Sequence, residues 1–153
     1  MKNNNALRRI LIAAPATAAL LAIAPASAAP EGSMVGRWFT EGVERGVHIQ
    51  VFIDNHADGS YLKDVRAIEN CEVAGSGKET GKWTFEKGNF ATASEMLDGN
   101  QLDTSSPDTH DLFTVTHVDD AHLNLYDTKT KLTWALIAVT KEAGFPAPRG
   151  CSV

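Results

Sequence analysis

Three stretches of this 153-residue chain carry chemically capable side chains at suggestive spacings. Gly75-Ser76-Gly77-Lys78-Glu79-Thr80-Gly81-Lys82 has the look of a phosphate loop, in which backbone N–H groups cradle phosphates and a Ser or Thr after the Lys seats Mg²⁺. Five residues separate Gly75 from Gly81 where four are required, and Trp83 follows Lys82. The stretch reads as a flexible loop between strands. Asp54-Asn55-His56-Ala57-Asp58-Gly59 begins like a calcium loop, but His56 stands at the third position and Val65 at the twelfth, where a bidentate Glu belongs. A plain turn of Asp, Asn and Gly accounts for those residues. His117 and His122 flank Asp119-Asp120 and would face each other across a hairpin, with His110 between Asp108 and Asp111. Such a pair binds zinc when a third ligand arrives from elsewhere. None is marked, and half-exposed histidines facing solvent explain the pattern.

No Gly-x-Ser-x-Gly, His-Glu-x-x-His or Cys/His nucleophile setting is present. The carboxylates scatter over turns, so no pair stands out for glycosidic chemistry. The residues nominate no catalytic group, no metal ligand and no cofactor. A non-enzymatic protein is the favoured reading, and an enzyme using His117 or His122 as base or metal ligand is the remaining alternative.

The elements that must carry these residues are strands. Val47, Ile49, Val51 and Ile53 alternate with His48, Gln50, Phe52 and Asp54, the period-2 pattern of a sheet with unequal faces. Tyr61 to Ile68 resumes extended structure after the 55–59 turn. Trp83 and Phe85 share a face ahead of Glu86-Lys87-Gly88-Asn89, a hairpin connection with Gly where a positive φ is needed. Ala91 to Leu97 reads either as a strand or as a helical turn. Turns at Asp98-Gly99, Ser105-Ser106-Pro107-Asp108 and Asp119-Asp120 separate further strands, and Leu132, Trp134 and Leu136 fall on one face of the last. That rhythm predicts an all-β, antiparallel up-and-down meander of about eight strands, closed into a small barrel.

The first 28 residues read as a secretory leader: Lys2, Arg8 and Arg9, an apolar run from Leu11 to Ala24, then Ala26-Ser27-Ala28 for cleavage after Ala28. The run is too short for a membrane span. Leu7 stands where a twin-arginine signal carries a polar residue, so export of the unfolded chain is expected. The expected organisation is a leader over 1–28, a short segment 29–34, a barrel domain 35–139 and a tail 140–153. Removing 28 of 153 residues leaves 125, with eleven basic residues against nineteen acidic ones, a net charge of −8. Nucleic acid is a poor expected partner for such a surface, and an anionic membrane surface a poor match. In a periplasmic or secreted protein, Cys71 and Cys151 are expected to pair and tether the aperiodic tail. Two free thiols or a redox pair are the competing state.

Gly36-Arg37-Trp38 opens the first strand of this exported meander and resembles the lipocalin and wider calycin group. The resemblance implies that Gly36 and Trp38 form the closed base of the barrel, that Cys71–Cys151 ties the tail to the wall, and that the open end takes a small hydrophobic molecule. The Thr-Asp-Tyr triplet of many lipocalins is absent; Asp111-Leu112-Phe113 is the nearest stretch. The aromatic side chains Trp83, Phe85, Phe113 and Trp134 are the lining candidates, since inward faces of barrel strands border any cavity; in a barrel this small, complete filling of the core by these rings is the equal alternative. An exported protein engaged through the barrel loops is the alternative partner.

Overall fold

The computed structural model describes residues 34–44, 46–148 and 150–151, so the leader over 1–28 and most of segment 29–34 lie outside the described residues. Nine strands follow in order: β1 (Gly36–Glu44), β2 (Val47–Asn55), β3 (Ser60–Glu69), β4 (Glu72–Glu86), β5 (Asn89–Leu97), β6 (Asn100–Gln101), β7 (His110–Val118), β8 (His122–Asp127) and β9 (Thr133–Val139). A 3-10 turn over Pro107–Thr109, capped by the Ser106 hydroxyl, leads into β7. Each long strand pairs antiparallel with the next, and β9 returns to β1 from Arg37↔Val139 to Phe39↔Ile137. With β4 joined to β5, the circle closes through eight strands, while two-residue β6 only flanks β5. The meander expected from the strand rhythm is thus a closed antiparallel barrel.

Tight turns set its register. Lys87 and Gly88 have φ of 51° and 79°, and Asp98 and Gly99 repeat the pair at 51° and 79°, a two-residue conformation whose twist matches that of the flanking strands. Asn70 and Cys71 take up φ of 50° and 66° without a glycine, which fixes Cys71 at the tip of the β3–β4 hairpin.

One segment differs from expectation, and one open reading is decided. Gly75–Lys82 is not a loop: it lies within the 15-residue strand β4, laddered against β3 from Ser60↔Lys82 to Glu69↔Glu72. Glycine does little to forbid extended backbone when a neighbouring strand supplies the hydrogen bonds. Ala91–Leu97 is strand, not helix, because β4 and β7 pair with it on both sides and Phe90 and Ser94 point inward.

The outer face of β2 also departs from a simple inside–outside alternation. Gln50 and Phe52 face outward yet are 0% and 3% exposed, because the C-terminal tail covers them. Phe145 packs on Phe52 with ring centroids 4.6 Å apart, and Phe52 in turn on Phe39 at 5.0 Å. Arg66 lies over the Phe145 ring and Arg37 over Phe52, each at 4.4 Å. Gln50 Nε2 donates to the Pro146 carbonyl (3.1 Å) and Arg37 to that of Lys141 (2.8 Å). Cys71 and Cys151 form a disulfide across 80 residues of sequence, so the tail is docked along its length as well as tied at its end.

Inside, side chains segregate along the barrel axis. One end is packed by Met34, Trp38, Tyr61, Trp83, Phe85, Phe90, Leu123 and Leu136. Each apolar side chain sealed there stabilises the fold by about 1.5–3 kcal/mol. Met34 is fully buried, and its carbonyl accepts from Trp38 Nε1 (3.2 Å) and Asn55 Nδ2 (3.0 Å). A smaller cluster of Ile49, Val51, Val65 and Ala67 lines β2 and β3 further along.

Candidate functional site

The inward row of β4 reads Gly75, Gly77, Glu79, Gly81, Trp83, Phe85, each buried or half-buried, while Ser76, Lys78, Lys82, Thr84 and Glu86 are exposed. Large rings therefore fill the end near Trp38, and hydrogen atoms stand in place of side chains toward the other. Gly81 is required by geometry. A Cβ there would come within 2.0 Å of the Ala93 carbonyl oxygen and 2.9 Å of the Tyr61 ring. A register shift between Thr80 and Gly81 brings β5 in this closely and sets Ser94 opposite Gly81.

That close approach assembles a polar cluster in the interior. Tyr61 is the cross-strand partner of Gly81, and its ring spreads over the missing side chain. Its hydroxyl donates to Glu79 Oε1 at 2.6 Å, and the Ser94 hydroxyl donates to the same oxygen at 2.7 Å. Lys63, directly opposite Glu79 on β3, sets its Nζ 2.8 Å from that oxygen. Burial pushes the Glu79 carboxyl up, but the Lys63 ammonium and the hydroxyls of Tyr61 and Ser94 outweigh it and hold the group below the usual carboxylate value. Burial, reinforced by the Glu79 charge, drives the Tyr61 phenol the other way, well above its ordinary value. At neutral pH Glu79 is therefore a carboxylate and the Tyr61 phenol neutral.

Asp111 borders it from β7. It pairs with Thr92 and is two positions from Phe113, which packs against the core, so it shares that inward row. Among the described residues its carboxylate accepts no hydrogen bond; Lys129 Nζ stands 3.8 Å away and is itself bound to the His110 carbonyl at 2.7 Å. Partial burial of Asp111, whose side chain is still 38% exposed, raises its carboxyl above the ordinary value, against the pull of Lys63. A second incomplete group is Trp134, which packs against both apolar clusters and whose indole N–H is sealed from solvent and, among the described residues, has no partner. Such a donor leaves hydrogen-bonding capacity unused inside the barrel.

The closed order of β1 to β9, Trp38 at one end and the tail disulfide on the wall decide the architecture. The fold is a closed, eight-stranded antiparallel barrel. No family model matches the chain, and no curated protein matches it. Among solved structures, the chain is similar to a lipocalin-like protein from Bacteroides uniformis ATCC 8492, at 14% identity over 70% of this chain and 98% of that chain, with a TM-score of 0.45.

Within the barrel, the four aromatic candidates occupy two settings. Trp83 and Phe85 are buried in the packed end, where Trp83 Nε1 donates to the His56 carbonyl (3.0 Å) and its ring lies 6.0 Å from that of Phe90. Phe113 and Trp134 are only partly buried and pack on the rim of that cluster. Gly36, with φ of 136°, precedes Trp38 at the same end. His117 and His122 are not opposite each other; His117 pairs with Asn124, and both imidazoles turn to Asp119 (3.0 and 3.3 Å) at the exposed hairpin tip. The Ala121 backbone N–H, then His117, hold the Asp119 carboxyl well below its usual range. Among the described residues, no group of three His, Cys, Asp or Glu side chains is placed to hold a metal ion.

Sequence reasoning does not single out Tyr61, Lys63, Glu79, Ser94 or Asp111. Lys63 and Glu79 look like ordinary surface charges until β3 and β4 are put in register. The available signal is the alternation leading into Trp83 and Phe85, which carries Glu79 onto the inward face.

Proposed function

We propose that this protein is an exported, non-enzymatic barrel that binds one small, largely apolar molecule in its interior, on the side away from Trp38. The observation that carries this reading is the sealed indole N–H of Trp134 between the two apolar clusters, which has no partner among the described residues. A buried donor without a partner costs about 1–3 kcal/mol, which an acceptor on a bound molecule recovers. The glycine-rich inward positions of β4 on the same side supply no bulk, and Phe113 and Trp134 offer ring faces at the boundary. The Cys71–Cys151 bond agrees with an oxidising compartment outside the cytoplasm, the destination implied by the leader.

Native mass spectrometry of the protein purified from its exported pool tests this. A bound mass of a few hundred daltons, lost on denaturation, is expected. A chain that carries no added mass and takes up none from a panel of lipids and hydrophobes overturns the proposal.

A further inference from the structure

The cluster inside the barrel has more polarity than an apolar ligand requires. Buried ion pairs repay their desolvation poorly compared with apolar packing, so Lys63 and Glu79 are not explained by stability alone. Their charges also cancel, with Lys63 bound to the one oxygen of Glu79 that takes both hydroxyls. What remains unbalanced is negative. Asp111 stands beside this pair, close enough to feel the charges of Lys63, Glu79 and Asp127; Lys63 is already committed to Glu79, and among the described residues the one ion-pair partner of Asp111 is Lys129 at 3.8 Å. Asp127, 8% exposed, spends one carboxylate oxygen on the backbone N–H groups of Lys129 and Thr130 and brings no cation inward. Lys129 is held at the rim by the carbonyls of His110 and Pro107.

From this arrangement we infer that the ligand is a cationic amphiphile, whose ammonium headgroup pairs with Asp111 beside the Lys63–Glu79 bridge and whose apolar part lies against Phe113 and Trp134. This inference rests on the ligand-binding reading above and specifies its chemistry. An ammonium donates to Asp111 in a charge-assisted hydrogen bond, roughly twice as strong as a neutral one. A carboxylate headgroup meets Asp111 and Glu79 as like charges, and a neutral alcohol gains no ion pair. Trp134, as a donor only, serves an oxygen on the ligand body and not its headgroup.

The test uses a matched series with one tail: dodecylamine, dodecanol and dodecanoate, each below its micelle threshold, displacing the fluorescent hydrophobe N-phenyl-1-naphthylamine from the full mature chain at pH 7. The amine is expected to bind at least tenfold more tightly than the other two. In Asp111→Asn, with the folded state checked by circular dichroism, that preference is expected to collapse while dodecanol affinity stays unchanged. Equal displacement by all three, or a preference for dodecanoate, overturns the inference and leaves the ligand-binding reading standing. An amine preference that survives in Asp111→Asn overturns the assignment to Asp111. No saturable uptake of the probe by the wild-type chain defeats the underlying reading, and the inference with it.

Discussion

Lys63 and Glu79 face each other across β3 and β4 with 2.8 Å between Nζ and Oε1, inside the barrel, where the Tyr61 and Ser94 hydroxyls donate to the same oxygen. Removing one partner strands the other as an uncompensated buried charge, at a cost of about 3–5 kcal/mol. Lys63→Met and Glu79→Gln are each expected to lose stability on that scale in urea unfolding, and the Lys63→Met/Glu79→Leu double variant to lose less than either. A double variant as unstable as the two losses added together contradicts a coupled pair.

The same pair predicts a pH dependence. The folded-state value of Glu79 is depressed. Its contribution is therefore present above the unfolded carboxylate value of about 4.3 and is lost as pH falls through the folded one. Acid titration of wild type and Glu79→Gln should show their stabilities converging below that value.

Asp111 has the opposite sign. Burial raises its folded-state value, so the ionised group opposes folding at neutral pH and ceases to do so as pH falls below the ordinary carboxylate range. Asp111→Asn is expected to melt higher than wild type at pH 7, with the gap shrinking on acidification. A lower melting temperature at pH 7 would mean that Lys129 compensates Asp111 more fully than the 3.8 Å separation implies.

The tail makes a separate prediction. Closing 80 residues with Cys71–Cys151 is worth up to about 4.5 kcal/mol in the chain-entropy treatment. Cys71→Ser/Cys151→Ser should lower stability toward that figure, and Phe145→Ala by about 1–2 kcal/mol through lost contact with Phe52 and Arg66. Because both act on one docked segment, their losses should combine to less than their sum.

Gly81→Ala places a methyl within 2.0 Å of the Ala93 carbonyl oxygen, backbone that moves only with the whole of β5. A loss of at least 1–3 kcal/mol is expected, accompanied by a fall in the phenol shift of Tyr61 as its ring is displaced. Unchanged stability would mean that the register shift at Thr80 and Gly81 relaxes freely.

The fold was largely written in local pattern: alternation in β2, the turn chemistry of Lys87-Gly88 and Asp98-Gly99, and a lone pair of cysteines. Those signals act over a few residues or follow from compartment. The covering of Gln50 and Phe52 depends on a tail almost a hundred residues away, and nothing near β2 announces it. The interior cluster was hidden for a similar reason. Its members come from β3, β4, β5 and β7, and the glycines that let them meet look from the sequence like loop residues.

The most direct test of the account is equilibrium uptake of N-phenyl-1-naphthylamine by the mature chain, followed by energy transfer from tryptophan. A saturable rise at one probe per chain, reversed by a non-fluorescent hydrophobe and weakened in Trp134→Phe, is the predicted result. Emission that never saturates, or no transfer at any probe concentration, would mean that the barrel interior holds no ligand.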